Sequence, residues 1–155
     1  MIALSVAGAA WAAYSLWGSD LFGTEQRSRG ENDLRALAGK WTLIDAQITM
    51  LQEVPDSLKY TKDNCFWKDH LNPKVPLKIH KDGTVTLSRF EKQTTAQARV
   101  EDGRLIFEFR GGIAKVKGEP VDAVSYTAYD YQLSGKQLII SREDGMVTEK
   151  YIFKR

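Results

Sequence analysis

The chain has 155 residues, a net charge of +2, 43% hydrophobic and 27% charged residues, and one cysteine. That length bounds it to one globular domain with at most an appendage, large enough to bury a core unaided by metal or disulfide. The small net charge and scattered basic residues argue against a nucleic-acid partner, and the lone Cys65 excludes an internal disulfide framework.

Residues 2–17, "IALSVAGAAWAAYSLW", carry no charge, and the uncharged run continues to Ser19. A helix crossing a bilayer needs roughly 20 apolar residues, so 1–19 reads first as a short membrane anchor with Trp17 and Phe22 near its interface. A cleaved signal peptide ranks second. Ala10-Trp11-Ala12 offers a cleavage site, but the apolar stretch before it is short and no basic segment precedes it. A buried soluble helix ranks third, because the run has no polar face. Arg27 and Arg29 follow the span, which taken literally points the domain to the cytoplasm. A natural start further upstream would void that count, and the working expectation is a membrane-anchored domain on the extracytoplasmic (periplasmic or secreted) side.

Residues 20–33 read as a linker, since "GSDLFGTEQRSRGEN" (18–32) is polar and carries three glycines. Asn32 or Asp33 is placed to cap one helical turn through Leu34, Leu37 and Ala38, stopped by Gly39. The domain proper is expected over 34–155.

From there the pattern is β. Asp-Gly at 82–83, 102–103 and 144–145, and Ser-Gly at 134–135, supply the positive φ angles of tight hairpin turns. They separate strands expected at 41–48, 76–81, 84–90, 94–101, 104–110, 123–133, 136–142 and 146–154. Alternation places Leu105, Phe107 and Phe109 on one face, likewise Val85 with Leu87, and Tyr151 with Phe153. Eight strands with short connections predict an all-β, antiparallel up-and-down barrel, with apolar faces inward and polar faces in water. Two segments interrupt it: a long connection at 49–75, of a length that is usually functional, and 111–122, read as a flexible loop.

Leu37, Gly39 and Trp41 opening the first strand, "DGTV" at Asp82–Val85 and the closing "KYIFKR" resemble, in that order, the lipocalin family, closest to compact bacterial lipocalin-like (calycin-type) domains. The likeness covers about 37–155. Fatty-acid-binding proteins open similarly but typically have ten strands. The resemblance implies that Trp41 lies across the closed end of the barrel beneath an arginine from the end of the chain. Arg155 has the parity of Tyr151 and Phe153, hence the inward face, and the last strand must end beside the start of the first. Arg155 is the expected partner, with Lys154 as substitute; Arg142 lies at the wrong end.

The candidate ligand-lining residues are Phe107, Phe109, Phe66, Trp67, Tyr129, Tyr131 and Asp45. Phe66 and Trp67 lie in the long loop, where they either lid the barrel mouth or, the favoured reading, plug it. On strand 123–133 one parity can face inward, and Tyr129 with Tyr131 is preferred to Tyr126. Asp45 and Gln47 share the parity of Trp41 and are expected inside, unless a bulge turns them out. Cys65, Asp69, His70 and His80 are too few and too poor in cysteine for a structural zinc site. No nucleotide, zinc-protease or hydrolase motif occurs, so no cofactor, metal or enzymatic activity is expected. Two functions are carried forward: a membrane-tethered barrel binding a small apolar or amphipathic ligand, and a filled barrel acting as a non-catalytic interaction or envelope-assembly module through loop 49–75.

Overall fold

The structure, a computed structural model, describes residues 30–155, with 112–116 and 120–122 described by their backbone alone. The expected anchor at 1–19 lies outside the described residues. Among these no helix is long and apolar enough to cross a membrane.

Eight strands form a closed antiparallel barrel in sequence order: β1 (Gly39–Met50), β2 (Leu77–Ile79), β3 (Thr84–Arg89), β4 (Lys92–Glu101), β5 (Arg104–Val116), β6 (Glu119–Ser134), β7 (Gln137–Glu143) and β8 (Val147–Lys154). β8 closes onto β1 from Thr42↔Lys154 to Met50↔Val147. The expected meander is therefore present, and its turns follow the chemistry. Asp102 and Gly103 both take positive φ, as a two-residue hairpin demands. Inward positions alternate along each strand, and Trp41, Leu77, Val85, Leu105, Phe107, Ile140, Tyr151 and Phe153 have no exposed surface. Each such side chain contributes roughly 1.5–3 kcal/mol of burial.

The closed end is built on Trp41. Residues 30–37 form a helix, α1, across the barrel bottom. Its last residue, Leu37, is fully buried and accepts the Trp41 Nε1–H bond at 2.8 Å. The Arg155 guanidinium lies 4.6 Å from the Trp41 ring centre and donates to the carbonyls of Ala36 and Ala38, both at 3.1 Å. Gly39 takes φ +147° beneath it, a conformation that favours glycine. A second constrained glycine, Gly83 at φ +90°, lets α1 approach: a Cβ there would meet the Ala98 carbonyl oxygen at 2.9 Å and Leu34 at 3.3 Å.

Three expectations are corrected. Residues 32 and 33 lie inside α1 rather than capping it, and Asp33 accepts a hydrogen bond from Tyr131 Oη at 2.9 Å. The part of the supposed linker from residue 30 on thus belongs to the folded body. Segment 111–122 is no flexible loop: β5 and β6 stay paired to Val116↔Glu119, and Lys117 and Gly118 turn with φ +53° and +84°. Because β4 pairs with β5 only over Gln97–Glu101, the upper part of this hairpin stands beyond the barrel wall as a two-stranded ribbon. Finally, the β1 register against β8 shifts between Leu43 and Asp45. That extra residue reverses the parity of β1, so Ala46 points inward and Asp45 and Gln47 point out.

The closed end predicts a mutational pattern. Arg155→Ala should destabilise by about 1 kcal/mol, the cation–π scale of a partly wet site. Trp41→Phe should cost about 1–3 kcal/mol by leaving the Leu37 carbonyl unpaired. Urea unfolding followed by circular dichroism measures both.

Candidate functional site

The long connection between β1 and β2 enters the barrel from the opposite end. It carries two single-turn 3-10 helices, Asp56–Leu58 and Lys68–Leu71, and between them Trp67 drops into the interior with no exposed surface. The indole meets Phe107 and Phe153 edge-on at ring separations of 5.3 and 5.9 Å and lies against Tyr129 and Tyr151 at 6.2 and 6.4 Å. Its Nε1–H donates to Tyr129 Oη at 3.1 Å, so the one polar atom of the indole is satisfied. Phe66, half-buried, packs edge-on to both Trp67 and Phe109.

A chain of polar groups runs beside this plug. Arg142 donates through Nε to Glu149 Oε2 and through Nη2 to Asp144 at 3.0 Å. Glu149, 2% exposed, accepts at its other oxygen from Tyr151 Oη at 2.7 Å. Tyr151 Oη lies 3.5 Å from Tyr60 Oη, which accepts the backbone N–H of Phe66 at 2.7 Å. Burial raises the Tyr60, Tyr129 and Tyr151 hydroxyls above the ordinary phenol pKa; for Tyr151 the neighbouring Tyr60 and Glu149 add to it. Tyr131 is pushed up to about 12, by burial first and then by Asp33. At neutral pH these phenols therefore stay protonated. Both oxygens of Glu149 are engaged, and burial raises the Cys65 thiol pKa while Sγ donates to the Lys62 carbonyl at 3.4 Å. The chain's visible work is to pin the loop to β8: Tyr60 ties the backbone at Phe66, and hence Trp67, to the Glu149–Arg142 pair.

A second fastening joins the loop to β3. His70 is fully buried. Its Nδ1–H donates to the Val75 carbonyl at 2.8 Å, and Nε2 accepts the Ser88 N–H at 3.1 Å, which defines a neutral tautomer. Asp69 Oδ2 accepts from Ser88 Oγ and from the Glu91 N–H, each at 2.8 Å. Burial lowers the His70 pKa. Among the described residues no group of three or more His, Cys, Asp or Glu is placed to hold a metal ion.

Of the residues singled out from the sequence, Trp67, Phe107, Phe109 and Tyr129 meet inside the barrel, with Phe66 and Tyr131 half-buried at its margins. Tyr126 is exposed, as the preferred parity requires. Asp45 is not part of this group. It sits on the outer face, hydrogen-bonded to Gln47 at 3.0 Å and 3.8 Å from Lys62. Sequence reasoning missed Glu149, Arg142 and Tyr60. Glu149 carried a signal, for it shares the parity of Tyr151 and Phe153 and is a carboxylate on an otherwise apolar face. Outside the barrel mouth, Tyr60, Asn64, Phe66, Lys68, Arg89 and Phe90 line a cleft of about 170 Å³.

Set against protein-family models, curated proteins and solved structures, the chain matches none.

The His70 fastening predicts a pH dependence. Its folded-state pKa lies below the unfolded value near 6.5, so unfolding takes up a proton at acid pH. Stability should be full above about pH 6.5 and fall as pH drops below it. His70→Gln should flatten that part of the profile in urea titrations between pH 4.5 and 7.5.

Proposed function

We propose that the chain is a lipocalin-like, non-catalytic interaction module, tethered to a membrane by residues 1–19. In this reading the barrel is a filled support, and the recognition surface is the loop end built on residues 51–76. The observation that carries the reading is Trp67. Where a ligand-binding barrel keeps room for its ligand, this one holds its own indole, sealed among Phe107, Tyr129, Tyr151 and Phe153. A ligand seated there would have to expel Trp67 and break its bond to Tyr129. By analogy with emptying a core aromatic site, that costs about 3–5 kcal/mol, or about two to nearly four orders of magnitude in affinity. The same side chains satisfy a filled small barrel without further occupants.

The position of the tether agrees with such a role. Residues 30–37 cross the closed end, beside Arg155. A link through residues 20–29 spans at most about 35 Å. An anchor at 1–19 would thus join the barrel at its closed end, opposite the 51–76 surface.

Native mass spectrometry of the protein purified from its source tests the reading. The expected mass is that of the polypeptide alone; a stoichiometric lipid or other small apolar molecule would overturn it. Trp67→Ala should destabilise the barrel by about 3–5 kcal/mol and, in protein that remains folded, create binding of an apolar dye that the parent chain lacks.

A further inference from the structure

The cleft outside the barrel mouth has a composition that its neighbours do not use. Arg99, Arg104, Arg110 and Arg142 each face a carboxylate. Arg89 instead lies between two rings, 4.9 Å from the Phe66 centre and 5.3 Å from that of Phe90. Lys68 and Asn64 line the same cleft, and the acid that follows Lys68 in sequence, Asp69, has its Oδ2 taken by Ser88 and Glu91. Phe90 is 70% exposed, the most exposed large apolar residue among those described.

The backbone beneath it is costly. Arg89 pairs with Lys92, so Phe90 and Glu91 make a two-residue turn, and both take left-handed angles, φ +52° and +62°. Such turns favour Asn and Gly, and a bulky aromatic in that region is strained. Keeping Phe90 there sacrifices stability for an aromatic side chain held in solvent, and residues strained in this way concentrate at recognition sites.

Size narrows the occupant. Small-molecule pockets usually measure about 300–1,000 Å³, whereas this cleft holds about 170 Å³, close to the roughly 150 Å³ that accepts one benzene. It fits one apolar side chain rather than a whole ligand. The flanking cations call for negative charge next to that side chain.

We infer that this cleft receives an acidic segment of a protein partner, with one aromatic or large aliphatic side chain against Tyr60, Phe66 and Phe90 and an adjacent carboxylate between Arg89 and Lys68. The inference rests on the interaction-module reading and names its partner's chemistry. Arg89 supplies a planar fork suited to a carboxylate and already ordered by the two rings.

The test is selection of a displayed random-peptide library on the full chain. Enriched peptides should place Asp or Glu beside Phe, Trp or Leu. Synthetic versions should bind about tenfold or more weakly to Arg89→Glu and lose affinity as salt rises, while Lys136→Glu, at the closed end, changes binding less than about twofold. Replacing Phe90-Glu91 by Asn-Gly should weaken peptide binding yet raise the thermal midpoint by about 4 °C, separating recognition from folding. No enrichment, enrichment of uncharged or basic peptides, or binding indifferent to Arg89→Glu would overturn the inference. So would glycerophosphoserine, a headgroup without acyl chains for residues 1–19 to enter, binding the parent chain and not Arg89→Glu, since the cleft would then read lipid. Any of these with a ligand-free native mass leaves the module reading standing; a bound small molecule in that spectrum removes the module reading itself.

Discussion

The architecture depends on one constraint: an indole has to fit inside an eight-stranded barrel. Such a barrel encloses little more than its own side chains, and Trp67 takes the place of several. β2 is three residues long, Leu77–Ile79, and the chain between β1 and β2 forms the loop that delivers the indole. Facing positions supply flat partners, with Phe107 and Tyr129 on the β5–β6 side and Tyr151 and Phe153 on β8. The remaining polar groups follow from the same fact. A loop lowered into a barrel brings backbone polar groups with it: Tyr60 satisfies the Phe66 N–H and His70 the Val75 carbonyl, while the other ring nitrogen of His70 accepts the Ser88 N–H of β3.

The Glu149–Arg142 pair shows how far this seating reaches. A carboxylate on an inward face is tolerable only when both oxygens are bonded. Arg142, Tyr151 and, through Tyr151, Tyr60 do that here. Pairs of this kind add little net stability compared with apolar replacements, but breaking one is costly. Its effect is therefore on specificity. The Tyr60 end of the loop has one well-bonded seat, and a loop displaced by a single residue would lose the contact of Tyr60 with Tyr151.

Much of this was legible in the sequence, for physical reasons that differ between elements. The hairpins at Asp102-Gly103 and Asp82-Gly83 could be read because positive φ demands a small set of residues. The inward faces of β5 and β8 could be read because period-two alternation survives wherever a strand is regular. An arginine over Trp41 was implied by the lipocalin resemblance, and parity with the meeting ends of an up-and-down barrel selected Arg155. Asp45 failed because one extra residue in β1 reverses every later position, and no residue type announces a bulge there. Segment 111–122 looked mobile because Gly111, Gly112, Gly118 and Pro120 break strands in isolation; here Lys117-Gly118 turns a hairpin and the break at Arg110–Ile113 is absorbed as a register shift. The Phe90-Glu91 turn gave no signal at all, since its residues are those a tight turn disfavours.

The closing seam has a consequence for how the barrel comes into being. Thr42 pairs with Lys154 and Met50 with Val147, so the first strand is completed by the last. Until β8 exists, β1 is held by β2 through only three residues, and most of its length is an open edge. Loop closure over nearly the whole domain must precede the reward of that pairing, which places this chain among slow folders dominated by distant contacts. Arg155 then fastens the seam, on the carbonyls of Ala36 and Ala38 at the end of α1. The Arg155 contact is thus a latch, and a nascent chain whose β8 has not yet formed holds an unfinished barrel whose most vulnerable strand was made first.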